Sequence, residues 1–115
     1  MKLLKKSERT INAKKALTTY KKIGFTVENL GEFRKWKELP DGRVAVKMTV
    51  YKVENEDCTA YFLEDILGRF ACEAVTDAKE VFDWLKEKGY KTDKEFYLND
   101  YGMDEETWEE WNKGF

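Results

Sequence analysis

The sequence contains no histidine, a single proline and two cysteines, and its apolar runs are only a few residues long. The lack of histidine excludes imidazole general bases, imidazole metal ligands and every triad that depends on histidine. Apolar runs this short fall far below the roughly 18 residues that a membrane-spanning helix needs, and no segment has the pattern of a secretory signal. We therefore expect a cytoplasmic protein that binds no membrane and is not an enzyme.

The few cysteines and glycines are spaced in ways that exclude further classes of site. Cys58 and Cys72 are 14 residues apart, and without a second pair or a histidine they do not complete a tetrahedral zinc site. Their number favours reduced thiols, since a disulfide would require neighbouring strands with Cα atoms about 5.5 Å apart. All seven glycines occur singly, so the chain has neither a phosphate-binding loop nor a dinucleotide-binding motif. We predict no cofactor and no metal.

What the chain does have is enough apolar surface for one folded domain. Its 115 residues match the size of a single domain, which we place at residues 1–115. Hydrophobic residues make up 42% of the chain, and 4 tryptophans, 6 tyrosines and 7 phenylalanines supply large side chains for a core. This composition differs from that of a disordered chain.

Hydrophobic periodicity predicts a first helix over residues 10–23. Its apolar stripe is formed by Ala13, Ala16, Leu17, Tyr20 and Ile23. The opposite side carries Lys14, Lys15, Lys21 and Lys22. Gly24 is positioned to end the helix in the left-handed conformation.

Three further helices are predicted in the second half of the chain from their N-terminal capping residues, which are Thr76 or Asp77, Thr92 and Asp104. The first of them ends at Gly89, and the second is short and ends at about Asn99. The third contains Trp108 and Trp111, three residues apart.

The middle of the chain predicts strands. In residues 32–53, Pro40-Asp41-Gly42 predicts a three-residue hairpin loop that pairs Leu39 with Arg43. The inner face of this hairpin would carry Trp36, Val44, Val46, Met48 and Val50. Its outer face would carry Lys35, Lys37, Arg43, Lys47, Thr49 and Tyr51. A two-residue loop of Asp41 and Gly42 would instead reverse the faces of the first strand and turn Trp36 to the solvent side.

A third strand over residues 58–65 follows a polar turn, and residues 69–74 are a candidate fourth strand. We therefore predict a single α+β domain with an N-terminal helix, a three- to four-stranded antiparallel sheet and two to three C-terminal helices. The helices are expected to cover one face of the sheet.

Charge is distributed unevenly along the chain. Residues 1–57 carry 14 Lys/Arg against 8 Asp/Glu, whereas residues 58–115 carry 7 against 15. The two halves therefore have net charges of +6 and −8, a polarity that indicates a basic contact surface, an acidic one, or both. The alternatives are that the two ends lie together and neutralise each other, or that the charges only solvate the surface.

Two sets of residues are candidates for contact with a partner. The first combines acids and tryptophans near the C-terminus, and comprises Asp104, Glu105, Glu106, Trp108, Glu109, Glu110 and Trp111. The second combines cations and a tyrosine, and comprises Lys14, Lys15, Lys21, Lys22, Lys35, Lys37, Arg43, Lys47 and Tyr51. Docking of the tryptophans into the core, and simple solvation of the lysines, are the alternatives.

The leading hypothesis is a non-catalytic protein that binds a protein partner through its acidic, aromatic C-terminal surface. Small charged domains of this kind favour the interpretation of an inhibitor or adaptor, of phage or mobile-element type, that acts on a basic nucleic-acid-handling enzyme such as a host-defence nuclease. One alternative is nucleic-acid binding by the basic set. Another is a metal-dependent carboxylate enzyme using Glu64 and Asp65, although adjacent strand residues point to opposite faces.

Overall fold

The computed structural model describes residues 1–9 and 12–113, and the side chains of these residues up to 111. A 3-10 turn at Lys6–Glu8 precedes the regular elements. In chain order these elements are α1 (Ala13–Lys22), β1 (Thr26–Leu39), β2 (Gly42–Glu54), β3 (Thr59–Glu64), α2 (Ala78–Glu87), β4 (Lys91–Thr92), α3 (Asp93–Glu95), a π-helical turn (Phe96–Asp100) and α4 (Glu105–Lys113).

The four strands form one antiparallel sheet in the order β3-β2-β1-β4. The predicted α+β fold, with its N-terminal helix, antiparallel sheet and C-terminal helices, is confirmed. The fourth strand is Lys91–Thr92 and pairs with β1 at Phe33 and Arg34. The predicted strand over residues 69–74 is reduced to isolated bridges, such as the one between Phe70 and Glu64.

The predicted register of the β1–β2 hairpin is wrong by one residue. Leu39 pairs with Gly42, so the loop consists of Pro40 and Asp41 alone, and Trp36 lies opposite Ala45. Gly42 has a φ of +141°, a conformation that glycine adopts readily. Because Gly42 pairs with Leu39, it is the first residue of β2 and not part of the loop. Because side chains alternate along a strand, this shift reverses the two faces of β1.

The helices lie on both faces of the sheet, so the expectation that they cover one face is wrong. Adjacent residues of β3 show this directly: Leu63 packs with α2, whereas Phe62 packs with α1. We call these the α2 face and the α1 face. The α2-face core contains Met48, Val50, Leu63, Val81 and Leu85, all buried. The α1-face core contains Ala13, Leu17, Val53, Phe62 and Phe70, also buried.

A β-bulge in β1 reverses which positions of the strand face each of the two cores. Asn29 pairs with Tyr51 and Gly31 with Val50, so Leu30 is an extra residue. The Asn29 side chain accepts a hydrogen bond from the Gly31 N–H at 2.8 Å, and Gly31 has a φ of +121°. Val27, before the bulge, packs in the α1-face core, whereas Phe33, after it, packs in the α2-face core.

The predicted helix ends at Gly24 and Asp77 are confirmed, whereas α1 begins at Ala13, later than predicted. Asn12 caps α1 by accepting a hydrogen bond from the Lys15 N–H at 3.0 Å, and Gly24 follows the helix with a φ of +100°. Ile23 is wrong as a member of the apolar stripe, because it lies beyond the last helical residue and is exposed. Residues 10 and 11 of the predicted helix lie outside the described residues. Asp77 caps α2 as predicted.

Candidate interaction surfaces

The C-terminal segment, residues 93–111, is held on the α1 face by side chains of β1. The Trp36 ring lies 5.1 Å from the buried Phe96 ring and 6.5 Å from the Tyr101 ring, measured between centroids. Arg34 Nε donates to Asp93 Oδ1 at 2.7 Å. Trp36 reaches this segment because the two-residue loop turns it away from α2. The register that sequence patterns misassign is therefore what positions the C-terminal segment.

The outer side of this segment carries the acidic, aromatic set predicted from the sequence. Trp111 and Tyr101 are 56% and 58% exposed, and Trp111 makes an edge contact with Tyr97 at 6.1 Å. Trp108 is half-buried, with Lys94 Nζ 5.5 Å from its ring centroid. We call this the C-terminal surface, comprising Tyr101, Asp104, Glu105, Glu106, Trp108, Glu109, Glu110 and Trp111.

Two of the acids on the C-terminal surface have partners in neighbouring residues. Asp104 accepts a hydrogen bond from the Thr107 N–H at 2.7 Å, which lowers the pKa of its carboxyl group. Glu105 pairs with Lys94 at 3.3 Å. The other three, Glu106, Glu109 and Glu110, are exposed and make no ion pair with any described side chain. The C-terminal surface thus presents three exposed carboxylates, none of them paired with a described cation, beside two exposed rings.

The predicted basic set does not form one surface. The lysines of α1, Lys14, Lys15, Lys21 and Lys22, are exposed, and within the described residues none of them pairs with an acid of α4. Lys35 and Lys37 lie on the α2 face, whereas Arg43 and Lys47 lie on the α1 face. The mutual neutralisation of the two chain ends, considered as an alternative, is therefore not seen among the described side chains.

Arg43, Lys47 and Tyr51 of the basic set make contacts within the fold. The Arg43 guanidinium stacks over Trp36 at 4.2 Å from its centroid, and Lys47 pairs with Glu32 at 3.3 Å. Tyr51 is half-buried against the α1-face core. Burial and the nearby charge of Glu64 raise the pKa of its hydroxyl group. The Tyr51 ring is thus a core contact as well as a member of the predicted set.

An ion-pair network on the α1 face was not singled out by any sequence pattern. Arg34 bridges Asp93 at 2.7 Å and Glu32 at 3.3 Å, and Glu32 also binds Lys47. Burial raises the pKa of Asp93 despite the opposing effect of Arg34. The residues come from three elements that are far apart in sequence, so only the sheet register brings them together. Each carboxylate here already has a cation, which makes the network a clamp between β1, β2 and α3.

The carboxylates considered for metal chemistry diverge, as strand alternation predicts. Burial raises the pKa of Glu64, an effect that Lys47 opposes. Asp65 is only 6% exposed and binds Arg9 and Arg69. Within the described residues, no three acidic or thiol side chains converge to hold one metal ion.

A groove of about 550 Å³ lies on the α2 face, where the β1–β2 hairpin extends past β3. Its lining includes the apolar side chains of Val46 and Met48, the exposed Ile66 and Leu67, and the cations Lys6, Arg9, Lys35, Lys37 and Arg69. We call it the hairpin groove. The sequence signal for it is the apolar pair Ile66-Leu67 in a turn just before Gly68, where polar residues are usual.

Comparison of the chain with protein-family models, with curated proteins and with solved structures finds no match. None of the helices in residues 1–9 and 12–113 has the length and apolar character to span a lipid bilayer. A functional proposal therefore depends on the chemistry of the surfaces described above.

Proposed function

We propose that the protein is a non-catalytic binding protein that engages a basic surface of a protein partner through its C-terminal surface. One observation carries the proposal: Tyr101 and Trp111 are both more than half exposed and share their surface with three exposed glutamates. Monomeric proteins rarely leave large aromatic rings clustered in water, and such clusters mark interaction sites.

The two kinds of residue would act at different stages of binding. Tryptophan and tyrosine are enriched among the residues that dominate binding free energy, because they bury a large rigid area with little loss of conformational entropy. Carboxylates around them accelerate encounter with a positively charged partner and add less to the final affinity. Removal of Trp111 should therefore raise the dissociation rate, and removal of the glutamates should lower the association rate.

The partner that suits this surface is a protein with a basic, partly apolar contact face. Nucleic-acid-handling enzymes have such faces, and acids displayed along a helix resemble a row of phosphates in charge. On this proposal the protein is an inhibitor or adaptor of such an enzyme, for example a host-defence nuclease. The polarity of the chain, with −8 in residues 58–115, supports the electrostatic part of the argument.

The test compares charge-neutralised variants of equal charge. The chain would be immobilised, and captured proteins identified, for wild type, for Trp111→Ala, and for the triple variant Glu106→Gln, Glu109→Gln and Glu110→Gln. The matched control neutralises three exposed acids elsewhere, Glu28→Gln, Glu73→Gln and Glu87→Gln.

We expect a basic protein that the wild type and the control retain at about 50 mM salt and that both C-terminal variants lose. Its association rate constant should fall about tenfold or more for the triple variant. Equal capture by the triple variant and the control would contradict the proposal.

Nucleic-acid binding by α1 is a second candidate, favoured by the exposure of all four of its lysines on a helix without acids. Neutralising two phosphate-contacting lysines should reduce the slope of log affinity against log salt by about 2. Titration of labelled single- and double-stranded oligonucleotides with Lys14→Gln/Lys21→Gln measures this slope. No binding by the wild type at about 50 mM salt would exclude this candidate.

A further inference from the structure

The outer edge of β2 is open over half its length. β3 pairs with β2 only at residues 49–54, so residues 42–48 have no strand on that side within the described chain. Every second residue of an antiparallel strand turns its N–H and C=O groups away from its partner. Over seven residues this leaves about 20 Å of edge with unpaired backbone groups, which is a template for an added strand.

Exposed apolar side chains gather around this open edge. The described residues include seven large apolar side chains that are exposed, and four of them, Leu39, Val44, Ile66 and Leu67, lie on the hairpin tip or in the turn that follows β3. Ile66 and Leu67 are 61% and 71% exposed and line the hairpin groove together with Val46. A strand added at residues 42–48 would continue the line of β3 and cover these side chains.

The same edge is positively charged on both faces of the sheet. Lys35 and Lys37 lie on the neighbouring strand β1 and face the α2 side, whereas Arg43 and Lys47 lie on β2 itself and face the α1 side, where Lys47 also pairs with Glu32. Lys37 and Lys6, which also lines the groove, are exposed and make no ion pair with any described residue. Burial and the charges of Lys88 and Lys37 lower the pKa of Lys35, as expected where cations crowd together.

We propose that the open edge of β2 binds an extended acidic segment of a partner protein as an additional β-strand. Backbone hydrogen bonds to residues 42–48 would supply the general affinity, and alternate side chains the specificity. On the α2 face, apolar side chains of the segment would contact Val46 and Leu67. On the α1 face, its carboxylates would meet Arg43 and Lys47.

Charge and side-chain type favour this occupant over two others. A second copy pairing through the same edge would bring its own lysines and arginine against these, and like charges that face each other across strands are destabilising. Single-stranded nucleic acid requires exposed rings for base stacking, whereas the two rings that line the groove are both covered, Trp36 by Arg43 and Tyr90 by Lys35. An acidic peptide with apolar residues matches both the positive charge of this edge and the apolar side chains of the groove.

The binding test uses a fluorescein-labelled peptide of about eight residues in which glutamate and leucine alternate. Two control peptides change one property each: alternating glutamate and serine, and alternating glutamine and leucine. We expect saturable binding of the glutamate–leucine peptide at about 50 mM salt, and weaker binding of both controls. Arg43→Gln/Lys47→Gln, which removes the cations on the face that the glutamates would occupy, should weaken binding about tenfold, whereas the matched pair Lys14→Gln/Lys22→Gln on α1 should not.

The mode of binding is tested by amide hydrogen exchange on the wild-type protein. Added-strand pairing predicts that the peptide slows exchange at alternate residues of 42–48, those whose N–H groups face the open edge. Equal binding of all three peptides, no alternating protection, or tighter binding of a thymidine octanucleotide would each overturn the proposal. The triple glutamate variant of the C-terminal surface should bind the peptide normally, so failure here and failure of the proposed function are separate results.

Discussion

Replacement of Asp65 by asparagine tests whether a buried carboxylate secures the N-terminal segment to the sheet. Asp65 Oδ1 accepts hydrogen bonds from the Leu67 N–H at 2.9 Å and the Arg69 N–H at 3.1 Å. Its Oδ2 binds Arg69 Nε at 3.2 Å and an Arg9 terminal nitrogen at 3.4 Å. Arg9 in turn donates to the Leu4 carbonyl at 2.9 Å, so one carboxylate links residues 4–9 to the end of β3.

The magnitude follows from what asparagine keeps and loses. Its side-chain oxygen can still accept from the two backbone N–H groups, but the negative charge facing two guanidinium groups is removed. A hydrogen bond to a charged group contributes about 1 kcal/mol more than a neutral one, so two lost charge contacts should cost about 2 kcal/mol. With typical values for a small domain, the urea midpoint should fall by about 1 M.

The effect should depend on pH in a defined direction. Burial would raise the pKa of Asp65, but the hydrogen bonds from Arg69 and Leu67 and the charges of Arg69 and Arg9 outweigh it and lower the pKa. A lowered pKa in the folded state means that the stabilisation is complete above the unfolded value of about 3.9 and is lost as the pH falls through the folded value. The difference between wild type and Asp65→Asn should therefore be full at pH 6 and shrink below pH 4.

Urea unfolding followed by tryptophan fluorescence at pH 6 and pH 3 measures this difference. The control is Asp83→Asn, which removes an exposed i,i+4 ion pair with Lys79 and should leave the urea midpoint close to that of the wild type. The reasoning would be refuted if the two variants were equally destabilised at pH 6. It would also be refuted if the Asp65→Asn loss were unchanged at pH 3.

Two further predictions follow from other contacts. Trp36→Ala removes the ring that lies between Phe96 and Arg43, and should lower the free energy of unfolding by about 2 to 3 kcal/mol. The variant should also lose C-terminal residues faster than the wild type in limited proteolysis. Equal resistance to the protease would contradict the role of Trp36 as the anchor of this segment. Cys58 is exposed, whereas Cys72 is buried and burial raises the pKa of its thiol. A thiol-reactive disulfide reagent should therefore modify one thiol in the native protein and two in urea. Rapid modification of both thiols without urea would contradict the burial of Cys72.

Local signals predicted the elements well because their causes are local. Asn12 and Asp77 cap helices through hydrogen bonds to residues two or three positions away, and Gly24 ends α1 by its own φ. The hairpin itself follows from Pro40-Asp41-Gly42. Its register does not, because a loop of two or three residues suits the same tripeptide and the choice depends on packing against both cores.

The candidate surfaces also divide into features that depend on local sequence and features that depend on how distant segments pack. The acids and tryptophans of the C-terminal surface are close together in sequence, so a helical pattern is enough to assemble them, whereas the addition of Tyr101 and the exposure of Trp111 required the fold. The basic set combines α1 with two strands, and the one-residue register shift separated Lys35 and Lys37 from Arg43 and Lys47. The hairpin groove depends on β3 being shorter than β2, a length difference that no pattern within either strand specifies.

The bulge at Leu30 has a consequence for how the chain tolerates change. Residues six positions apart on a regular strand face the same side of the sheet. Because Leu30 is an extra residue, Val27 and Phe33 face opposite sides although six positions separate them. Deleting Leu30 would restore a regular strand and turn the apolar side chains of one end of β1 to the opposite face of the sheet, away from the core in which they pack. Indels in this strand are thus far more damaging than substitutions, and homologues that diverge elsewhere should keep its length.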